Sequence, residues 1–209
     1  RPWGGGSRRR GGEGRPAGRR RGPPPLSVGG GGPPVRVSDD LFEILLTAQD
    51  IALASGGAFD VTVGPAVALW RRARASGHLP SPEETAAALS LVGWDRLELK
   101  RVGRTARLKT RGMRLDLGGI AKGYAAEQAA GVLRARGINR CLVALAGDVF
   151  AAEPPPGESG WRVEVRGEPG GRSSGTLLIS NAAVSTSGDT AQYIELDGRR
   201  TTPRDEHQA

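Results

Sequence analysis

A carboxylate, two adjacent glycines and a lysine fall within seven positions, Asp116, Gly118, Gly119 and Lys122, in the run Leu115 to Tyr124. Those residue types at a strand-to-helix join can hold a phosphate, because backbone amides, the positive end of a helix and one cation converge there. The chain before the glycines, 111–117, has extended character, and the chain after them, 120–136, carries apolar residues at helical spacing. The spacing fits neither the P-loop pattern nor the dinucleotide fingerprint. Tight packing of a strand against a helix is the competing explanation for the glycine pair.

Other stretches carry chemistry of the same kind, each beside a plainer reading. Asp148 follows an apolar run and Gly147, so it stands either at the C-terminal edge of an open sheet, facing a ligand, or in a simple turn. Ser185-Thr186-Ser187-Gly188-Asp189 aligns hydroxyls that can donate to phosphate or ribose oxygens, or can serve as caps and turns. Phe59, Trp70 and Trp94 offer faces to a planar ring, or core packing. His78 and His207 have no partner at metal-ligand spacing.

The elements that must position these groups can be read from pattern. Ser38 as a cap, Asp39 and Asp40 in the first turn and an apolar stripe from Leu41 to Ala52 predict a helix over 39–54, ended by Gly56 and Gly57. Ala58 to Pro65 reads as a loop leading into a short helix through Trp70. Ser81-Pro82-Glu83-Glu84 is a capping box with proline at the first helical position, opening a helix to about residue 91. Extended segments are expected at 96–100, 106–109 and 113–117, a helix at 120–136, a buried strand at 141–146, and further strands at 161–166, 176–180 and 192–196. The class is α/β in the α+β sense, with a mixed, mainly antiparallel sheet after residue 95 and packed helices.

Composition divides the chain at residue 34. Residues 1–34 hold 12 Gly and 7 Pro with eight Arg and one Glu, so they are expected to be a disordered segment preceding a domain over 35–209. They also carry nearly all of the net charge of +8. The remainder is close to neutral, which argues against a specific nucleic-acid partner. Cys141 is the only cysteine, excluding an internal disulfide, and is expected to be a buried thiol. No run approaches the ~20 apolar residues of a membrane span, and no signal-peptide core is present, so the chain as given reads as cytoplasmic. It begins with Arg1, which leaves the true N-terminus in question.

Taken together, the blocks Gly57 to Pro65 with Leu69-Trp70, Leu115 to Tyr124, Leu142 to Asp148, Ala183 to Asp189 and Tyr193 to Arg199 resemble, in order and spacing, the FAD:protein FMN transferases of the ApbE family. The resemblance implies an enzyme that binds FAD and Mg²⁺ and transfers FMN to a threonine hydroxyl of an acceptor flavoprotein, releasing AMP. It assigns Asp116 and Lys122 to FAD contact, with Lys122 neutralising pyrophosphate charge and Asp116 orienting the ligand. The Gly119 carbonyl would ligate the metal. Phe59 and Trp70 would border the flavin, with Thr186 and Ser187 near the same cleft. Departures accompany the matches. The family continues into a histidine-containing segment and then a helix whose Asp and Thr complete the metal site, whereas here the chain runs Thr201 to Ala209, with His207 out of register. Ala146 stands for a usual glycine, and Arg71-Arg72 for a glycine and an aromatic residue. The expectation is therefore a partial flavin-transferase domain, with an inactive flavin-binding fragment as the alternative. Family members are often exported or membrane-anchored.

Overall fold

The computed structural model describes residues 30–165 and 175–185, and the backbone of 194–196 and 199–201. Thr186, Ser187 and most of the Arg/Gly/Pro segment lie outside the described residues. Gly31 N donates to Leu108 O at 2.8 Å, joining the start of the described chain to the fold.

Strand β1 (Val35–Arg36) precedes helix α1 (Asp39–Ala54). Ser38 caps α1 by accepting from Leu41 N at 3.3 Å. Of the predicted stripe, Ile44, Leu45, Ala48 and Ala52 are buried, while Leu41 is half-buried and Ile51 exposed, and Phe42, outside the stripe, is buried as well. Phe42 and Leu45 are 2% and 0% exposed, and each contributes roughly 1.5–3 kcal/mol by leaving water. Helix α2 (Gly64–Ser76) is a full 13 residues rather than a short helix, with exposed arginines filling its outer face. Its first residue must be glycine, because a Cβ there would lie 2.7 Å from the Arg114 backbone oxygen. Helix α3 (Pro82–Leu89) opens on the predicted capping box and stops slightly earlier than expected.

Strands β2 (Leu97–Lys100) and β3 (Thr105–Leu108) pair antiparallel, Leu97 opposite Leu108, and β1 adds to β3 to give a three-stranded sheet. Helix α1 covers this sheet, and Ile44, Leu45, Ala48, Val61, Leu97, Ala106, Leu108 and Met113 form the main core. Residues 113–117 are not a strand. Arg114 makes a single parallel bridge with Val63, and Asp116 N donates to Val61 O at 2.8 Å. The partner segment turns into α2 at Gly64, leaving too little extended chain to build a ladder.

Helix α4 (Ala121–Arg134) packs on the hairpin of β4 (Leu142–Leu145) and β5 (Asp148–Ala151), with β8 (Ala182–Val184) on the far edge of β5. Ala130, Cys141 and Ala152 form a second, smaller core, and the cysteine is buried as expected. Strand β4 is not buried along its length: Leu142 and Val143 are half-buried, and Ala144 and Leu145 are exposed. Strands β6 (Trp161–Val165) and β7 (Gly175–Ile179) form their own two-stranded sheet, as do β9 (Ile194–Leu196) and β10 (Arg199–Thr201). Among the described residues every strand pair is antiparallel, and the fold is α+β. Among the described residues no helix is long and apolar enough to cross a membrane.

Candidate functional site

The segment from Asp116 to Lys122 joins the two cores. Asp116 Oδ1 accepts from Gly118 N at 2.8 Å, a local turn that presents the glycine pair. A Cβ on Gly118 would lie 2.8 Å from that oxygen, and one on Gly119 would lie 3.2 Å from Phe59 Cε2, so side chains at either position would crowd the bend. Ala121 N donates to Leu117 O at 2.8 Å and starts α4, whose N-terminus no side chain caps.

The second oxygen of Asp116, Oδ2, accepts from Arg71 Nη2 on α2 at 2.9 Å. Lys122, the second residue of α4, reaches the opposite way: its Nζ lies 3.4 Å from both Ala146 O and Asp148 Oδ1. Ser185 Oγ donates to the same Asp148 oxygen at 2.8 Å, so one buried carboxylate ties α4 to β5 and to the end of β8. Asp148 is the first residue of β5 after a two-residue turn, Ala146-Gly147, in which both φ values are positive, 46° and 96°. Of the two readings of Asp148, the turn is the one observed and the open-sheet edge is not: the sheet is antiparallel, and Asp148 follows a hairpin turn and meets Lys122.

Two cavities flank the bend. One, of about 670 Å³, is lined by Phe59, Trp70, Arg71, Arg74, Asp116 and Lys122 together with both glycines. Phe59 is fixed through its amide, which donates to Ser55 Oγ at 3.1 Å, and the next turn through Asp60 Oδ1, which accepts from Thr62 N at 2.7 Å. Trp70 Nε1 is buried without a hydrogen-bond partner among the described residues. Trp94 is not part of this wall; it lies against Gly57. The other cavity, of about 770 Å³, lies across Gly119 and is bordered by Asp40, Glu43, Tyr124, Glu127, Asp148 and Ser185. Burial there pushes the Tyr124 phenol above its ordinary pKa, and the nearby Asp40 and Glu43 carboxylates push it further in the same direction.

Of the residues singled out from sequence, Asp116, Gly119, Lys122, Phe59 and Trp70 are brought to one cavity, while Thr186 and Ser187 lie outside the described residues. Arg71 as the partner of Asp116, and Asp148 and Ser185 as partners of Lys122, were not legible as such. The Gly147-Asp148 pair and the hydroxyl run starting at Ser185 were the available signals. Among the described residues no group of three or more His, Cys, Asp or Glu could hold a metal ion.

The arrangement suits an anionic ligand with a planar ring. The model of the ApbE family matches residues 27–203. The chain belongs to the ApbE family. It is 31% identical over 169 residues to the FAD:protein FMN transferase of Klebsiella pneumoniae (strain 342), covering 80% of this chain and 52% of that protein. It is 32% identical over 182 residues to that of Treponema pallidum (strain Nichols), covering 80% and 50%. Superposition on the crystal structure of the ApbE protein of Thermotoga maritima gives a TM-score of 0.72 at 31% identity, over 80% of this chain and 55% of that one. The chain thus spans about half the length of the curated ApbE relatives it matches.

Proposed function

We propose that this chain forms the flavin-binding part of a FAD:protein FMN transferase, and that the cavity beside Gly118-Gly119 receives FAD. One observation carries the reading: a pair of aromatic residues, Phe59 and Trp70, shares a single wall with Asp116, Lys122 and the glycine bend. An isoalloxazine needs a planar apolar neighbour, and a diphosphate needs cations and amides.

In the proposed reaction a threonine hydroxyl of an acceptor flavoprotein attacks the FMN phosphorus of FAD in line. A new P–O bond forms, the bond to the bridging oxygen breaks, AMP leaves with that electron pair, and the hydroxyl proton passes to water. Little covalent work falls to the protein, so catalysis rests on positioning and charge neutralisation. Lys122 supplies a cation, held by Asp148 yet 43% exposed, and so able to face both its carboxylate and a phosphate. Asp116, with one oxygen committed to Gly118 N, orients the ligand.

Mg²⁺ would add Lewis-acid stabilisation of the departing phosphate. The described residues do not fit it: the Gly119 carbonyl alone falls far short of the oxygen shell that Mg²⁺ demands, and no carboxylate group gathers around it. The same observation favours a second reading, a flavin-binding chain that does not transfer. Fluorescence titration with FAD, with Mg²⁺ or with EDTA, is expected to show saturable binding that changes less than twofold with metal. Gel fluorescence of an added threonine-bearing acceptor then separates the readings, since covalent flavin means transfer and its absence means binding alone. Absence of any FAD binding would overturn both.

A further inference from the structure

Helix α2 carries three arginines near the cavity, and they have different fates. Arg72 pairs with Glu84 of α3, away from the bend. Arg71 and Arg74, one turn apart, line the cavity. Arg71 is 72% exposed and uses a single donor on Asp116, leaving most of its planar five-donor fork open. Arg74 has no ion-pair partner among the described residues. With Lys122, the wall holds three cations against two carboxylates, Asp60 and Asp116. Asp60 is already occupied by Thr62 N and Asp116 by Gly118 N. Asp148 balances Lys122 from outside this wall, so an incoming anion is met by Arg74 and by the open donors of Arg71 rather than by a net surplus of charge.

We propose that Arg71 is a specificity-determining residue that exchanges partners. It holds Asp116 when the cavity is empty, and it turns its guanidinium onto a phosphate when a phosphorylated flavin enters, freeing Asp116 Oδ2 to accept from the ligand. In the exchange Asp116 gives up its ion pair and keeps the hydrogen bond from Gly118 N, with a ligand donor taking the place of the guanidinium on Oδ2. Because Arg71 is exposed, the swap needs only side-chain rotation and leaves α2 in place. The energy of recognition thus falls on the phosphates rather than on the ring, and the cavity discriminates FAD from riboflavin through Arg71. The inference rests on the flavin reading above for its ligand, but not for its anion chemistry.

The test titrates the full chain and its Arg71→Ala and Arg71→Lys variants with FAD, riboflavin and inorganic pyrophosphate. FAD and pyrophosphate are expected to bind about tenfold more weakly to Arg71→Ala, the size of one charge-assisted hydrogen bond. Arg71→Lys is expected to recover only part of that loss, because an ammonium lacks the fork. Riboflavin affinity is expected to stay within twofold. Tighter FAD binding by Arg71→Ala would mean that Arg71 merely competes for Asp116, and would overturn the proposal, as would equal losses for FAD and riboflavin. If wild type binds pyrophosphate through Arg71 but no flavin, the flavin reading fails and the anion role of Arg71 stands. If wild type binds FAD and Arg71→Ala binds it equally, the reverse holds.

Discussion

Ala146 accepts an unusual conformation for a residue with a Cβ. Its φ of 46° places it in the left-handed region, next to Gly147 at 96°, in a turn where both central residues need positive φ. Left-handed backbone costs a non-glycine residue on the order of 1–2 kcal/mol. Its carbonyl lies near Lys122 Nζ, so the strain sits beside the candidate site. Ala146→Gly is expected to stabilise the chain by roughly 0.5–1 kcal/mol, since relief of strain exceeds the added chain entropy. Urea unfolding would show this as a raised midpoint with an unchanged slope, and a lowered midpoint would contradict it. Single residues were also where sequence reading was strongest and weakest. Asp116 and Lys122 were recognisable from type and spacing. Their partners were not: Arg71 lies 45 positions from Asp116, and Asp148 lies 26 from Lys122, distances at which no local pattern carries information.

Among the elements, α1 and α3 were legible because their start signals are local. In α3 the Ser81 side chain accepts from Glu84 N while Glu84 Oε2 accepts from Ser81 N, so the box satisfies two end groups within one turn. Ser81 Oγ also donates to Glu83 at 2.7 Å, which holds the Glu83 carboxyl below its ordinary pKa. That lowered value means the contribution is present above the unfolded pKa and is lost as pH falls through the folded one. Ser81→Ala should cost about 1 kcal/mol near neutral pH, with the gap to wild type narrowing in acid. A chemical-denaturation series across pH measures both effects, and a pH-independent gap would remove the Glu83 part of the explanation. Strands β5 and β8 were missed because each is only 4 or 3 residues long and exists by pairing with a distant neighbour. Residues 113–117, expected to be extended, pair only through the Arg114–Val63 bridge, because the partner needed for a ladder turns away at Gly64.

For the molecule as a whole, the two cores differ in depth. The larger, under α1, is built from long side chains, while the smaller, under α4, holds Ala130, Cys141 and Ala152 with partly buried neighbours. Among the described residues the β6–β7 pair forms a two-stranded sheet of its own, with Leu177 and Leu178 at 40% and 54% exposure. An isolated two-stranded sheet is marginal in water. Hydrogen exchange read by mass spectrometry is expected to find β6–β7 amides exchanging at least about tenfold faster than those of α1, with β4–β5 between them. Equal protection of β6–β7 and α1 would mean that the hairpin is held by contacts that its exposure does not reveal. Sequence reading identified the α+β class correctly from the order of helices and short strands, but it could not divide the apolar residues between two cores. That division depends on which helix lands on which sheet.

Gly119 borders both cavities, so a single peptide unit divides a chamber lined by cations and aromatic rings from a groove lined by carboxylates. A partition that thin cannot be moved for one side alone. Any ligand that displaces it toward the groove alters the space available there, and an occupant of the groove presses back on the chamber with the same coupling energy. If a ligand in one compartment displaces that unit, the affinity of the other compartment is expected to change with it, which titration of one ligand with and without the other measures.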